Sequence, residues 1–387
     1  MGGRILRDPI PLSPEYVPRD LIGRDRELRD MAQHFLSPAL EHGSSPLMIL
    51  IGPRGSGKTA LLKRFGQLIE VASLERGRAM KCAYVNCWEA KGRLFKILEA
   101  ASASLGVGEG LRGRSSKELL DLIGQIPNRE AFPILALDDA EALLLAEGGD
   151  PIYMLSRPWE SAGIKGFGLL LSFGDWSYLE GLDGSVLSTL RRGILRLRGY
   201  SKAELWAILA DRAERALGEG SLKGDALDLI ADSSSASGDA GLAIRALRIA
   251  AELAEREGAT SIEARHAEWA LVEASASPDP YILRGLSDHE RLFLIAIARA
   301  LGERGSGEVT MGEAEGEYLA LCGIRGLAPR KHTQLWKYAR RLSIAGLLSL
   351  RPSGAGFKGR TTFIGLRGLR WDKVINCPEP DGAAMGR

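Results

Sequence analysis

Eight consecutive residues, Gly52-Pro53-Arg54-Gly55-Ser56-Gly57-Lys58-Thr59, fit the pattern G-x-x-x-x-G-K-[ST] throughout. They stand directly after an apolar run, LMILI (47–51), and directly before ALLKRFGQLIEVA, whose apolar spacing is helical. Glycines let such a loop curl until its backbone N–H groups converge on phosphate oxygens, and the helix that follows adds the positive end of its dipole. In that arrangement Lys58 reaches the β- and γ-phosphates, Thr59 holds magnesium, and Gly52, Pro53, Arg54, Gly55, Ser56, Gly57 and Ala60 line the phosphates of ATP or ADP. A glycine-rich turn that binds nothing is the plain alternative, and the flanking strand and helix argue against it.

A second group of residues points to the same chemistry. PILALDD (133–139) places Asp138 at the end of an apolar strand, where its carboxylate can orient Mg2+ through water. Asp139 beside it can polarise an attacking water. An acidic pair at a strand end can also cap a helix, so the pair gains its meaning from the loop at 52–59.

A third group is basic. Residues 321–373 hold 12 Lys/Arg against one acid, Asp372, for +11, while the rest of the chain holds 39 basic and 48 acidic residues, for −9. A positive field this concentrated is the footprint of a polyanion partner. Within it, APRKHTQLWKYARRLSIAGL reads as a helix from about Ala328, with Leu335, Tyr338 and Leu342 on one face. At 100° per residue Arg330, Gln334, Lys337 and Arg341 fall within about 60° of one another on another face, with Thr333 nearby. Arginine pairs with guanine and glutamine with adenine in the major groove of double-stranded DNA, so this face suits base reading. Lys358 and Arg360, in a glycine-rich stretch between two short strands, suit phosphates or an adjacent groove.

These groups require scaffolds. Residues 20–198 alternate apolar strand-like runs with helix-period segments, the pattern of a parallel α/β sheet. From Ser201, SKAELWAILADRAERAL offers a Ser cap with Glu204 three residues on and Leu205, Ile208 and Leu209 on one face. Helices at 224–233 and 239–257 and one from near Thr260 extend this into a helical bundle, 199–280. SASPDPY (275–281) reads as a linker. Residues 281–373 then give helices from Ser287, about Thr310 and about Ala328, and strands LLSLR (347–351) and TTFIGL (361–366), the layout of a winged helix. Residues 1–19 form an N-terminal extension and 374–387 a tail.

Composition narrows the class further. At 387 residues the chain exceeds one ordinary core, and 45% hydrophobic with 26% charged residues is a globular composition. The longest apolar stretches are about half of the ~18 residues that a membrane span needs. With no secretory signal in the first residues, the expectation is a cytoplasmic, nucleoid-associated protein without a membrane partner. Cys82 and Cys87 are expected to be buried or free thiols, and no Cys/His cluster has zinc spacing.

Taken together, these segments resemble the archaeal origin-recognition initiator family, relatives of eukaryotic Orc and the Cdc-type loaders, over roughly residues 14–370. The resemblance is carried by YVPRDLIGRDREL (16–28), the loop at 52–59, GYSKAELWAILADRAE (199–214), GDAGLAIRAL (238–247) and LRPSGAGFKGRTT (350–362). It implies an AAA+ ATPase core with a helical lid followed by a winged helix, ATP-dependent binding to replication origins, and helicase loading with other initiator subunits or the replicative helicase as partners. It also implies that Val17, Ile22, Gly23 and Arg24 sit on the adenine side. A polar sensor falls at Asp175. Arg112 and Arg114, with Lys117, lie where the family carries a DNA-touching insertion.

Several positions depart from the family pattern. Asp139 stands where glutamate is usual. Gly241 and Leu242 stand where the lid arginine is expected, leaving Arg245 as the nearest substitute. No intersubunit arginine stands near Ser185, although Arg191 and Arg192 are close. These departures imply nucleotide binding with weak hydrolysis. Two other functions compete: a branch-migration motor of the same build, which needs intact sensors, and a signalling ATPase whose winged helix binds protein.

Overall fold

The protein is described by a computed structural model over residues 4–41, 45–77, 79–107, 113–126, 131–157, 166–278, 282–283, 285–305, 307–352 and 361–376. Arg112, Lys358, Arg360 and the C-terminal tail from Cys377 lie outside them. The chain divides into two compact units between Leu271 and Val272.

In the first unit a five-stranded parallel sheet runs in the order β2-β3-β4-β1-β5, from β1 (Leu47–Ile51), β2 (Met80–Asn86), β3 (Phe132–Asp138), β4 (Gly168–Phe173) and β5 (Ile194–Arg196). β3 and β4 are buried at every position, as strands covered on both faces must be, which is why their sequences are continuous apolar runs and not alternating ones. Helix α1 (Asp25–Glu41) and helix α2 (Lys58–Glu75) flank the sheet, with α3 (Leu94–Ser104), α4 (Ser116–Gln125), α5 (Glu141–Glu147), α6 (Asp150–Ser156) and α7 (Gly184–Leu190) between the strands. Phe35 and Phe65 meet edge to face at 5.4 Å and anchor a core with Leu50, Phe132, Ile134 and Leu170. The chain leaves β1 through α2 and re-enters the sheet three positions away at β2. The carboxyl ends of β1 and β3 therefore border a crevice, the usual ligand position in such sheets.

Helices α8 (Lys202–Ala216), α9 (Gly224–Ser235), α10 (Ala240–Arg256) and α11 (Ala264–Ala276) follow. The expected Ser201–Glu204 capping box is present at the start of α8. The N-terminal segment packs on this bundle: Arg7 N donates to Ala216 O, and Arg212 donates to Pro11 O and Tyr16 O.

The second unit holds α12 (Asp288–Arg304), α13 (Met311–Ile324), α14 (His332–Ile344), α15 (Trp371–Ile375) and a three-stranded antiparallel sheet. Its strand order is β6-β8-β7, from β6 (Val309–Thr310), β7 (Leu348–Pro352) and β8 (Thr362–Leu366). Two expectations shift here. The third helix begins at His332 and not near Ala328, because Gly326 adopts φ 64° and residues 323–333 are exposed throughout. The two-residue strand β6, too short to leave an alternating pattern, completes the sheet. Among the described residues no helix is long and apolar enough to cross a membrane, and Cys82, Cys87 and Cys322 are free thiols.

Candidate nucleotide site and nucleic-acid interface

Residues 52–57 join β1 to α2 through left-handed turns at Gly55 (φ 70°) and Gly57 (φ 89°). Side chains are excluded for a second reason. A Cβ on Gly52 would meet Leu197 O at 2.8 Å, and one on Gly55 would run into Asp239. Ser56 Oγ is buried inside the loop with no hydrogen-bond partner. The Lys58 ammonium folds back along the loop, donating to Gly52 O (2.7 Å) and Pro53 O (3.1 Å). A cradle that admits only glycine, an unpartnered hydroxyl within it and a lysine on its rim fit a polyphosphate.

The loop is braced from below by Arg24, which is fully buried. Its Nη2 donates to Ser56 O and to Arg198 O, both at 2.7 Å, and its guanidinium lies 4.2 Å from the centre of the Tyr200 ring. Sequence reading put Arg24 among the nucleotide contacts, and the structure corrects this. Its donors hold backbone carbonyls, so it supports the loop from behind. Gly23 (φ 71°) lies against Glu204, Ile22 is half-buried, and Val17 lines a cavity of about 750 Å3 with Tyr16, Leu62, Lys63 and Tyr84. Lid and loop touch directly, since Ala240 N donates to Gly55 O.

Asp138 is fully buried at the end of β3 and is the hub of the site. Thr59 Oγ1 donates to its Oδ2 at 2.6 Å, Tyr84 OH to the same oxygen at 2.9 Å, and Ser172 Oγ to its Oδ1 at 2.5 Å. Burial and the Asp138 carboxylate both push the Tyr84 phenol up, so it stays protonated and donates. Thr59 and Asp138 thus present two converging oxygens at the phosphate loop. Two such side-chain oxygens fit a hard cation whose shell is completed by water and phosphate.

Asp139 has φ 52°, a left-handed conformation that aspartate tolerates and that is often kept at functional sites. Its N–H donates to Ser172 Oγ (2.8 Å) and its Oδ2 accepts from Asn86 Nδ2 (3.2 Å). Burial, then the neighbouring Asp138, push its carboxyl above the usual range. Glu141, at the start of α5, is buried as well and pushed the same way by burial and by Asp139.

Four side chains in this cluster were not anticipated. Tyr84, Asn86, Ser172 and Glu141 sit within strand-like or helix-like apolar runs, and only the parallel register, Asn86 opposite Asp138 and Leu50 opposite Ser172, brings three of them together. Asp175, the expected polar sensor, is placed elsewhere. It is exposed, caps a 3-10 turn by accepting from Ser177 N at 2.8 Å, and is held below the usual carboxylate range by those bonds. Ser172 takes the strand position facing Asp138.

In the lid, Asp239 caps α10 by accepting from Leu242 N. Gly241 is exposed, and Leu242 and Arg245 are half-buried. Arg191 and Arg192, just past α7, are exposed, with Arg191 over the Trp176 ring. Arg114 is exposed just before the Ser115–Glu118 capping box of α4, and Lys117 is exposed in its first turn.

In the second unit, α14 buries Leu335, Ala339 and Leu342 and exposes Thr333, Lys337 and Arg340 on the opposite side. Arg330 and Lys331 extend this basic face. Gln334 is half-buried beside Tyr338. Arg341 is a correction: its Nη1 pairs with Glu290 Oε1 of α12 at 3.1 Å, and the two side chains are only 17% and 2% exposed. It joins helices inside the domain and does not face solvent, and Arg340 takes the place on the outer face. Arg340 and Arg341 lie about 100° apart on the helix, both outside the apolar stripe of Leu335, Ala339 and Leu342, so only the packing of α12 shows which of the two is covered.

Comparison with known proteins agrees with the geometry. Three regions match described families: an AAA ATPase domain over residues 20–156, a Cdc6 AAA+ ATPase-type lid domain over 206–271, and a CDC6 C-terminal winged helix domain over 282–372. The chain is 30% identical over 389 residues to ORC1-type DNA replication protein 2 of Saccharolobus solfataricus, covering 96% of this chain and 92% of that one. It belongs to the ORC1-type DNA replication protein family. An ORC1-type relative from Sulfolobus acidocaldarius is 29% identical over 377 residues, covering 94% of this chain and 91% of its own. Among solved structures of this kind, the Aeropyrum pernix ORC1 protein in complex with DNA superposes with a TM-score of 0.75 at 28% identity, covering 97% of each chain. The Aeropyrum pernix ORC2 protein in ADPNP–ADP complexes gives 0.63 at 27% identity, covering 96% of each. Membership in the ORC1-type family makes this an AAA+ nucleotide-binding protein with a winged helix.

Proposed function

We propose that this protein is a nucleotide-dependent, double-stranded-DNA-binding replication initiator that recognises origin DNA and works with other initiator subunits or the replicative helicase. The observation that carries the reading is the outer face of α14, where Thr333, Lys337 and Arg340, with Arg330 just before the helix, are exposed in a region of net charge +11. A protein-binding winged helix would ordinarily mix acids into such a face. Lys337 and Arg340 reach base edges or phosphates, and Lys358 and Arg360 of the wing add backbone contacts. Arg114, with Arg112, extends the DNA contact from the first unit.

At the nucleotide site Thr59 and Asp138 hold Mg2+, which neutralises phosphate charge. Lys58 and the loop N–H groups bind the phosphates, while Val17, Ile22 and Gly23 lie on the base side. Hydrolysis is slow, because Asp139 is short and the lid offers no arginine at Gly241 or Leu242. The bound nucleotide then acts as a state marker for the DNA-bound protein.

The test is binding of the full chain to one origin duplex and one random duplex across a salt series. Lys337→Ala and Arg340→Ala should each weaken binding, and each lost phosphate contact should shallow the salt slope by about 0.9 in log–log units. Unchanged binding by both variants would transfer the DNA contact away from α14.

A further inference from the structure

The hydrolytic site contains a carboxylate for which neither the phosphate loop nor the magnesium pair has a use. Glu141 lies two residues beyond Asp139, is only 8% exposed, and its Oε2 has no hydrogen-bond partner. A buried charge-bearing oxygen left unpaired costs free energy, so its persistence points to a ligand or water that completes it. Its position is fixed on several sides. Gly174, just past β4, lies against Glu141 Oε1, with an ideal Cβ there only 3.5 Å away. The preceding residue, Phe173, accepts through its carbonyl from Gly52 N, the first residue of the phosphate loop. Glu141 therefore stands beside the end of β4, the strand end to which the first residue of the phosphate loop is bonded.

Asp139 is the less available of the two carboxylates. One of its oxygens is engaged by Asn86, its backbone is pinned to Ser172, and its side chain is one methylene shorter. Resting on the reading that this site hydrolyses ATP, we propose that Glu141 is its general base: it accepts the proton of the water that attacks the γ-phosphoryl group, while Asp139 helps orient that water. In the step, the water oxygen bonds to γ-phosphorus and the bond from phosphorus to the ADP oxygen breaks. ADP leaves with that electron pair, and the water proton passes to Glu141 Oε2. Burial and then the Asp139 carboxylate push the Glu141 carboxyl up to about 8, against an opposing pull from Lys58, so the base form is populated, and hydrolysis rises, as pH climbs through that value.

The experiment compares the full chain with Glu141→Gln, Glu141→Asp and Asp139→Asn in single-turnover ATP hydrolysis, with ADP affinity measured by titration. Glu141→Gln should lose about 100-fold in rate, within the range general bases contribute. Asp139→Asn should lose less, Glu141→Asp should keep part of the rate, and ADP affinity should stay within about twofold throughout. Hydrolysis by Glu141→Gln near the parent's rate, or a larger loss from Asp139→Asn, overturns the proposal. A second arm needs no turnover and separates this proposal from the ATPase reading. The parent should bind ADP with magnesium and fluoroaluminate more tightly than ADP, and Glu141→Gln should lose that preference. Equal preference in both, including none in either, overturns the assignment of Glu141 even where the parent proves unable to hydrolyse ATP.

Discussion

Arg24→Ala tests whether the phosphate loop is held from beneath. The guanidinium is fully buried and supplies Ser56 O and Arg198 O with hydrogen bonds of 2.7 Å each, beneath the Tyr200 ring. Removing it orphans two carbonyls at about 1–3 kcal/mol each and removes a ring contact of roughly 0.5–2 kcal/mol. Arg198 is exposed, so water can reach one of the two carbonyls and the lower part of that sum applies, about 3 kcal/mol. For a unit of this size that lowers Tm by about 6–12 °C. The loss falls on the loop itself, so ADP affinity should drop at least tenfold, about 1.4 kcal/mol. Arg24→Lys should recover little, because an ammonium lacks the planar fork that serves both carbonyls. Differential scanning calorimetry with and without ADP, alongside nucleotide titration, gives both numbers. A variant that melts within about 2 °C of the parent and binds ADP equally well would refute the bracing role.

Three further outcomes follow from named contacts. Arg341→Ala leaves the buried Glu290 with only its Ser287 cap bonds and should destabilise the winged helix by about 1–3 kcal/mol, while its folded fraction, separated by native gel, binds DNA like the parent; a stable variant with weakened binding would return Arg341 to the reading face. Lys58→Ala removes the ammonium that serves Gly52 O and Pro53 O, so calorimetric titration should find ATP and ADP binding greatly weakened and Tm lowered by the loss of those bonds, and unaltered affinity would contradict the phosphate site. Glu204 caps α8 and pairs with Arg198, which holds its carboxyl down at about 2. A depressed carboxylate stabilises above its unfolded value and loses that stabilisation as pH falls through the folded one. Glu204→Gln should therefore cost about 1–2 kcal/mol at neutral pH, with the gap to the parent closing in urea melts between pH 4.5 and 2; a gap that persists at the acid end would contradict the linkage.

Much of the architecture is legible in the chain because local rules dominate it. The loop at 52–59 carries its own geometry in three glycines, the helix starts at Ser201 and Ser287 are written in capping boxes, and β3 and β4 declare their burial by unbroken apolar runs. The hidden parts depend on register and packing. Ser172 and Tyr84 reach Asp138 only because β4 and β2 flank β3 at a particular offset, and nothing in GLLLSF or KCAYVN marks those residues. Arg341 looks like its neighbour Arg340 until α12 brings Glu290 to one side. Asp175 looked like a sensor because it is the first polar group past β4, yet the chain turns there and its side chain is needed for the cap.

The central claim, that the nucleotide site governs DNA binding through the basic helix α14, is tested most directly by fluorescence anisotropy of the full chain on an origin duplex and a random duplex. The parent is compared with Lys58→Ala and with the Lys337→Ala/Arg340→Ala double variant, each with ATP, ADP or neither. The account predicts that the parent prefers the origin duplex and that its affinity changes with the nucleotide. Lys58→Ala should bind DNA but no longer respond to nucleotide, and the double variant should lose binding in every state. Parent binding that is indifferent to nucleotide, or a double variant that still selects the origin duplex, would contradict it.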